Sequence, residues 1–518
     1  MNVPPTKAAL GASVASYSAW NLVAYLVGIG ANIFTMPFVL HRLGPTAFGI
    51  AALVQATVAP FTLIAGTLGV ATARQLAAAT TGLTARADFG TSAAVALLVA
   101  CAGITLITLG GPAIATHLFA ISTRDAELLR PAYLAAAIGW GVTVGTGILQ
   151  ALYVATRDYR RLAHIGAFGA VATAAATFIL VSRFSTVVSY LSALAIGFCL
   201  TFIAWIIAAA TEKRSLLSAP RWDTGRLRAL GHFSGWQFAA QLGGIASIQA
   251  DRYLLGAYTS PADVAYFSVA QRLEEVGYIG VAKAGEVLFP VFSAEANSAR
   301  ARQSDLYFRA AWILNLLAGC TLGPLLPLSE DVLRIWTNAG IAHEAQNVLF
   351  ILTLGGMLGC AVNALAYFTM GLARTHLNFI LALVTAAISC AFSAVLLPRY
   401  GLAAAGIGTL CAMTGQLIAG VVISDRLFGD RRFGRQLFAV VGPLLVAVFV
   451  GCTLRYAHLL PHPENWASLA VIAAGIAVFI AIITIGTSYL STHGAVSRGD
   501  LLSIVARLVP AQLLRSRC

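Results

Sequence analysis

The sequence predicts an all-α integral membrane protein: about fourteen transmembrane helices, set out as two six-helix lobes related by an internal repeat, plus two C-terminal helices. Three observations predict it. Of the 518 residues, 59% are hydrophobic and only 10% charged, where a soluble globular chain carries about 25% charge. Apolar runs of about 20 residues, enough to cross a hydrocarbon core about 30 Å thick, recur from end to end. A stretch near the middle also repeats a stretch near the start.

The spans fall at 16–40, 48–73, 90–112, 131–155, 163–182, 186–210, 234–258, 264–292, 308–328, 345–371, 376–398, 401–424, 437–458 and 466–490. The first is too long for the apolar core of a cleaved signal and has only Lys7 before it as charge, so it is read as a retained helix. Loops alternate between two sides of the membrane, and the basic residues sort with them. Twenty-three of the 33 Lys and Arg fall in loops on the side of the termini. The opposite side holds Arg42, Arg124, Arg130, Arg183, Arg334, Arg399 and Arg455, and Arg252, Arg272 and Lys283 sit inside spans. This is the positive-inside pattern, with both termini cytoplasmic. The net charge of +13 is therefore topology, and no nucleic-acid partner is expected. Seven of the eight cysteines lie within spans and none forms a C-x-x-C pair, which fits small buried hydrophobes.

The repeat aligns "SYSAWNLVAYLVGI" (16–29) with "HFSGWQFAAQLGGI" (232–245) at an offset of 216. Ser18 meets Ser234, Trp20 meets Trp236, Pro45 meets Pro261 and Gln55 meets Gln271; Arg183 meets Arg399 at the same offset. An even number of intervening spans gives both copies one orientation, the parallel-repeat plan of transporters, with a substrate site expected between the halves. The corresponding domain boundaries are an N-terminal lobe at 1–212, a cytoplasmic linker at 213–233, a C-terminal lobe at 234–425, the added pair at 436–490 and a cytoplasmic tail at 491–518. The tail reads equally as an interfacial helix or a basic extension.

Polar residues inside spans mark the candidate site. Asn21, Tyr25, Gly28 and Asn32 are spaced as one stripe of the first helix. Gln237, Gln241 and Gly244 form the matching stripe of the seventh, which runs on to Asp251 beside Arg252. In the eighth span Arg272, Glu275, Ile279, Lys283 and Glu286 share one face. Each such charge costs about 2.5–3.5 kcal/mol at a helix centre on insertion scales, so that face is expected to meet protein or water. Two readings stay open: a hydrated cavity, or i, i+3 pairs that neutralise one another between packed helices. Glu274 lies off the stripe, with Arg252 as its expected partner.

These residues resemble a known family. "LVAYLVGIGANIFTMPFVLHRLGPTAFGIAAL", "DRYLLG" at 251–256, "VAYFSVAQRLEE", "DVLRIWTNAG" and the "GLARTHLN" loop are similar to the Wzx-type polysaccharide flippases of the multidrug/oligosaccharidyl-lipid/polysaccharide exporter superfamily. The resemblance covers roughly 15–425. It implies two six-helix lobes around a cationic cavity, and transfer of an undecaprenyl-diphosphate-linked oligosaccharide from the cytoplasmic to the periplasmic leaflet by alternating access. The location implied is the bacterial cytoplasmic membrane, and the partners are that lipid-linked oligosaccharide, membrane lipids and polysaccharide polymerase or assembly proteins. Cavity candidates are Asn21, Asn32, Gln55, Gln237, Gln241, Arg252, Arg272 and Lys283. Asp251, Glu275 and Glu286 are candidates for coupling to H+ or Na+, with no other cofactor. One departure is that the charges of spans seven and eight are three positive and four negative.

The alternative is an ion-coupled multidrug or small-molecule exporter of the same superfamily. An enzyme is not expected. The outward loops are short and carry no paired carboxylates for acid–base work, and the chain has no H-E-x-x-H or phosphate-binding Gly-Lys-Ser/Thr loop.

The topology makes a direct prediction. In a background free of native cysteines, an impermeant thiol reagent applied to intact cells labels Ser260→Cys and leaves Ser215→Cys unlabelled. Labelling at 215 and not at 260 reverses the assignment.

Overall fold

The computed structural model describes residues 7–119, 121, 129–228, 249, 251–286, 288–372, 374, 376–428, 433–457 and 459–490. All of the long elements are helices. Contacts divide the chain into two compact units, Met1–Ala265 and Tyr266–Cys518.

The first unit begins with α1 (Lys7–Ala78), which holds the first two expected spans in one run. Its break is at Gly44, with φ 77° and ψ 165°, a region open essentially to glycine alone. Pro45 follows at the head of the second segment, where its missing N–H costs nothing. The kink thus falls in the gap between the two apolar runs. Next come α2 (Gly82–His117), α3 (Arg130–Ala155), α4 (Tyr159–Arg183) and α5 (Val187–Glu212). Their starts are written locally. Thr81 and Thr84 make a reciprocal capping box on α2, Thr186 and Ser189 another on α5, and Asp158 accepts from the Arg161 N–H on α4.

α3 is the core of this unit, with Tyr133, Val144, Leu152 and Tyr153 fully buried. Small residues let large ones in: a Cβ at Gly103 would strike the Trp140 ring and one at Gly111 the Tyr133 ring. Gly69 approaches the Gly147 carbonyl so closely that a Cβ would lie 3.3 Å from its oxygen. Residues 251–265 also pack here. Tyr253 Oη donates to the Ala56 carbonyl at 2.6 Å, and its ring stacks on Phe119 at 6.3 Å.

The second unit contains most of α6 (Pro261–Gly285), then α7 (Leu288–Ala294), α8 (Arg300–Leu322), α9 (Leu325–Trp336), α10 (Ala339–Gly371), α11 (His376–Tyr400) and α12 (Leu402–Phe428). A π turn, Leu437–Val441, leads into α13 (Gly442–Tyr456), and α14 (Trp466–Leu490) closes the described chain. Two expectations are corrected. The eighth span, expected at 264–292, is interrupted after Gly285, so Glu286 lies beyond the end of α6. The ninth, expected at 308–328, is two helices bent by 42°. The bend falls at Gly323-Pro324, where proline offers no N–H to continue the ladder.

Phe292, Tyr307, Phe308, Phe368 and Phe428 form an aromatic cluster in this unit, Phe292 and Phe368 meeting edge to face at 5.2 Å. The added pair is tied to α8 by polar bonds: Asn315 Nδ2 donates to the Val440 carbonyl and Trp312 Nε1 to Ser488 Oγ, each at 2.9 Å.

Among the described residues, ten helices are long and apolar enough to cross a membrane, or eleven with α8 and α9 taken as one broken span. Fourteen were expected, and the shortfall has three sources. α1 counts once for two spans, α6 is too charged to qualify as apolar, and most of the seventh span (234–258) lies outside the described residues. The tail 491–518 lies outside them as well.

Gly44→Ala forces a side chain into the φ 77° conformation and is expected to destabilise the protein by about 1–3 kcal/mol. Gly30→Ala, a helical position with open space beside it, should leave the melting temperature in detergent unchanged or slightly raised. Equal behaviour of the two variants would contradict this account of the kink.

Candidate functional site

α6 presents two distinct faces. At 3.6 residues per turn, positions 272, 275, 279 and 283 fall within an arc of about 80°, and 274, 278, 281 and 285 cluster on the far side. The far side packs against α10 within the second unit. Tyr367 Oη donates to the Ala282 carbonyl at 2.7 Å, Tyr278 Oη reaches Asn363 Oδ1 at 3.3 Å, and Val281 is fully buried. Helix packing thereby fixes which way the charged face turns.

On that face, Arg272 Nη1 lies 2.7 Å from Glu275 Oε2, and Lys283 Nζ lies 2.6 Å from Glu286 Oε1. Both pairs are made between neighbours three residues apart, so neither ties α6 to a second helix. The four side chains are 35%, 41%, 44% and 53% exposed. Pairs this open are worth only about 0.3–0.5 kcal/mol in water, far less than the cost of setting them in hydrocarbon. An aqueous or ligand-filled setting is the one in which such a face is stable.

Glu274 was missed as a candidate, and it behaves differently. Its carboxylate turns onto the packed side and sits against α10 where Gly356 leaves room, since a Cβ there would collide with it. Arg252, its expected partner, belongs to the first unit. The sequence signal was that Glu274 lies off the charged stripe.

In the first unit, α1, α4 and α5 line an open cavity of about 370 Å³. Two candidates, Asn32 and Gln55, line it together, alongside Thr35, Thr173, Thr177, Tyr190 and Thr201. The threonines and Tyr190 were not singled out by sequence, because threonine in a membrane helix is common and carries no periodic signature. Asp251, also in this unit, is only 4% exposed, and Arg252 is half-buried. The side chain of Asn21 lies outside the described residues, as do Gln237 and Gln241 entirely. Among the described residues, no cluster of three or more His, Cys, Asp or Glu is placed to hold a metal.

The family described as "Polysaccharide biosynthesis protein" matches residues 14–296. No curated protein matches the chain by sequence. Among solved structures, the fold is similar to that of the lipid II flippase MurJ in an inward closed conformation. The TM-score is 0.74 at 14% identity, covering 91% of this chain and 98% of that one. It is also similar to an inward-facing multidrug resistance MATE family transporter of the MOP superfamily (TM-score 0.65, 14% identity, 78% and 97% covered). A MOP superfamily transporter from Pyrococcus furiosus matches with a TM-score of 0.55 and 16% identity over 82% and 96%. At these identities the likeness establishes the fold: all-α, membrane-spanning and of the kind these transporters share.

The Glu274–Gly356 contact can be tested by a double-mutant cycle. Gly356→Ala should cost about 1 kcal/mol, the low end of overpacking, because the carboxylate end can swing away. In a Glu274→Ala background that cost should vanish. An undiminished cost would show that Gly356 answers to some other neighbour.

Proposed function

The chain belongs to the polysaccharide biosynthesis protein family, and from that premise we propose that it is a membrane flippase. Its substrate is an undecaprenyl-diphosphate-linked oligosaccharide, carried from the cytoplasmic to the periplasmic leaflet of a bacterial cytoplasmic membrane by alternating access, with both termini on the cytoplasmic side. The observation that carries this reading is the charged face of α6, turned away from the side packed on α10. A diphosphate and its sugars cannot enter hydrocarbon unaided, while a polyprenyl tail never has to leave it. A membrane helix that keeps Arg272 and Lys283 half-exposed offers the head group charge-assisted hydrogen bonds along its route. The two cations are eleven residues apart, about 16 Å along the helix, so they act as successive contacts. The fold shared with a protein named as a lipid II flippase supports a lipid-linked substrate. Asp251, Glu275 and Glu286 are the carboxylates through which H+ or Na+ coupling would act, and polymerase or assembly proteins are the partners such a carrier would serve.

Arg272→Gln and Lys283→Gln are the decisive substitutions. Each removes a hydrogen bond to a charged group, worth about 1.5–3 kcal/mol. Export in a complementation assay is expected to fall roughly tenfold or more, with protein abundance in the membrane near wild type. Normal export by both variants sinks the proposal. Loss of export only in step with loss of protein makes the charges structural.

A further inference from the structure

The cavity of the first unit has a chemical character of its own. α4 and α5 run antiparallel, and two reciprocal contacts set their seam. Thr201 leans over Gly169 and Thr173 leans over Gly197, each so near that a Cβ on the glycine would collide. The two Gly-x-x-x-Thr segments, 169–173 and 197–201, thus hold each other's hydroxyl-bearing residue at the cavity wall.

The protons of these hydroxyls are already committed. Thr173 Oγ1 donates to the Gly169 carbonyl, Thr177 Oγ1 to the Thr173 carbonyl and Thr201 Oγ1 to the Gly197 carbonyl, all at 2.8 Å. Thr35 Oγ1 donates to the Ala31 carbonyl at 2.9 Å, and Asn32 Nδ2 to the Gly28 carbonyl at the same distance. What remains for a ligand on the hydroxyls of Thr35, Thr173 and Thr201 is a lone pair each, while Thr177 is itself buried; Asn32 keeps its Oδ1 and a second N–H, and Tyr190 brings a phenolic oxygen to the lining. No Asp, Glu, Lys, Arg or His lines the space, and Gln55 adds one exposed amide.

Such a wall has no cation to pair with a phosphate, and it receives a neutral ligand rich in hydroxyls. A bare monovalent cation would also seek acceptors, but it needs a tight cage. About 370 Å³ is the scale of a small-molecule site, commonly about 300–1,000 Å³. Sugar hydroxyls fit both requirements, since each can donate to an oxygen of the wall, and Phe198 adds a ring in the lining for the apolar face of a pyranose. We propose that this cavity binds the uncharged glycan of the transported lipid, apart from the diphosphate that the α6 face receives. The proposal rests on the transport reading and adds a site and a ligand class to it.

The test is native mass spectrometry of the full chain. It is titrated with undecaprenyl diphosphate and with undecaprenyl-diphosphate-linked glycans extracted from the cells that produce it. Wild type is expected to hold the glycan-bearing lipid at least tenfold more tightly than the bare one. In the Thr173→Val/Thr201→Val variant, which keeps the shape over Gly169 and Gly197, that preference falls to about onefold with bare-lipid affinity unchanged. Thr173→Ser/Thr201→Ser, which restores the oxygens, keeps it. Equal affinity of wild type for the two lipids overturns the cavity proposal while leaving the transport reading standing. So does a valine variant that keeps its preference, or valine and serine variants that lose both lipids alike. Failure of wild type to bind either lipid overturns the transport reading, and the cavity proposal with it.

Discussion

Everything in this molecule depends on one constraint: in hydrocarbon there is no water to satisfy a polar group, so the protein must satisfy it internally. The backbone does so by being helical almost throughout. Buried threonines do so by donating back to the carbonyl four residues earlier, as Thr72 does to Leu68, Thr353 to Leu349 and Thr385 to Leu381. Where the helical ladder is disturbed, a side chain answers. The π turn Leu437–Val441 alters the local bonding pattern, and the Asn315 amide, itself buried, donates to the Val440 carbonyl within it. The same bond fixes the added helices to α8, so a local backbone irregularity becomes a joint between elements.

Charge obeys the same constraint in two ways. Near helix ends, polar side chains join separate segments: Arg435 reaches Asp305 at 2.7 Å, Asp331 Oδ1 lies 3.3 Å from His462 Nδ1, and Arg334 donates to the Pro463 carbonyl at 3.0 Å. The pairs on α6 join nothing but their own helix, which makes them poor candidates for packing and good ones for exchange with a ligand.

The fold was legible where its cause is periodic or compositional. Apolar length marked most of the spans. The charged face of α6 was legible because residues 3 and 4 apart share a face of any helix. What stayed hidden depends on single backbone events and on pairs distant in sequence. The α8–α9 bend turns on Gly323-Pro324 inside an otherwise apolar run, and hydrophobic averaging passes over it. The interruption after Gly285 leaves Glu286 beyond the helix, although its bond to Lys283 survives. The cavity was only half legible. Asn32 and Gln55 stood out as amides in apolar helices, but the wall around them comes from Gly169 meeting Thr201 and Thr173 meeting Gly197, contacts between residues 32 and 24 apart whose types are individually unremarkable.

The balance of charge on α6 then becomes intelligible. A row of bare cations would carry the full insertion penalty and would hold a diphosphate too firmly to release it. With Glu275 beside Arg272 and Glu286 beside Lys283, each cation is neutralised while the site is empty, at little net gain because the pairs are open. On the proposed function a diphosphate would have to displace the carboxylates, so the affinity it realised would be only the difference between two charge-assisted bonds of similar strength. Transport requires that difference to be small, since a carrier must surrender its cargo on the far side. On the transport reading proposed above, the pairing of Glu275 with Arg272 and of Glu286 with Lys283 is the arrangement that would let an anionic substrate leave.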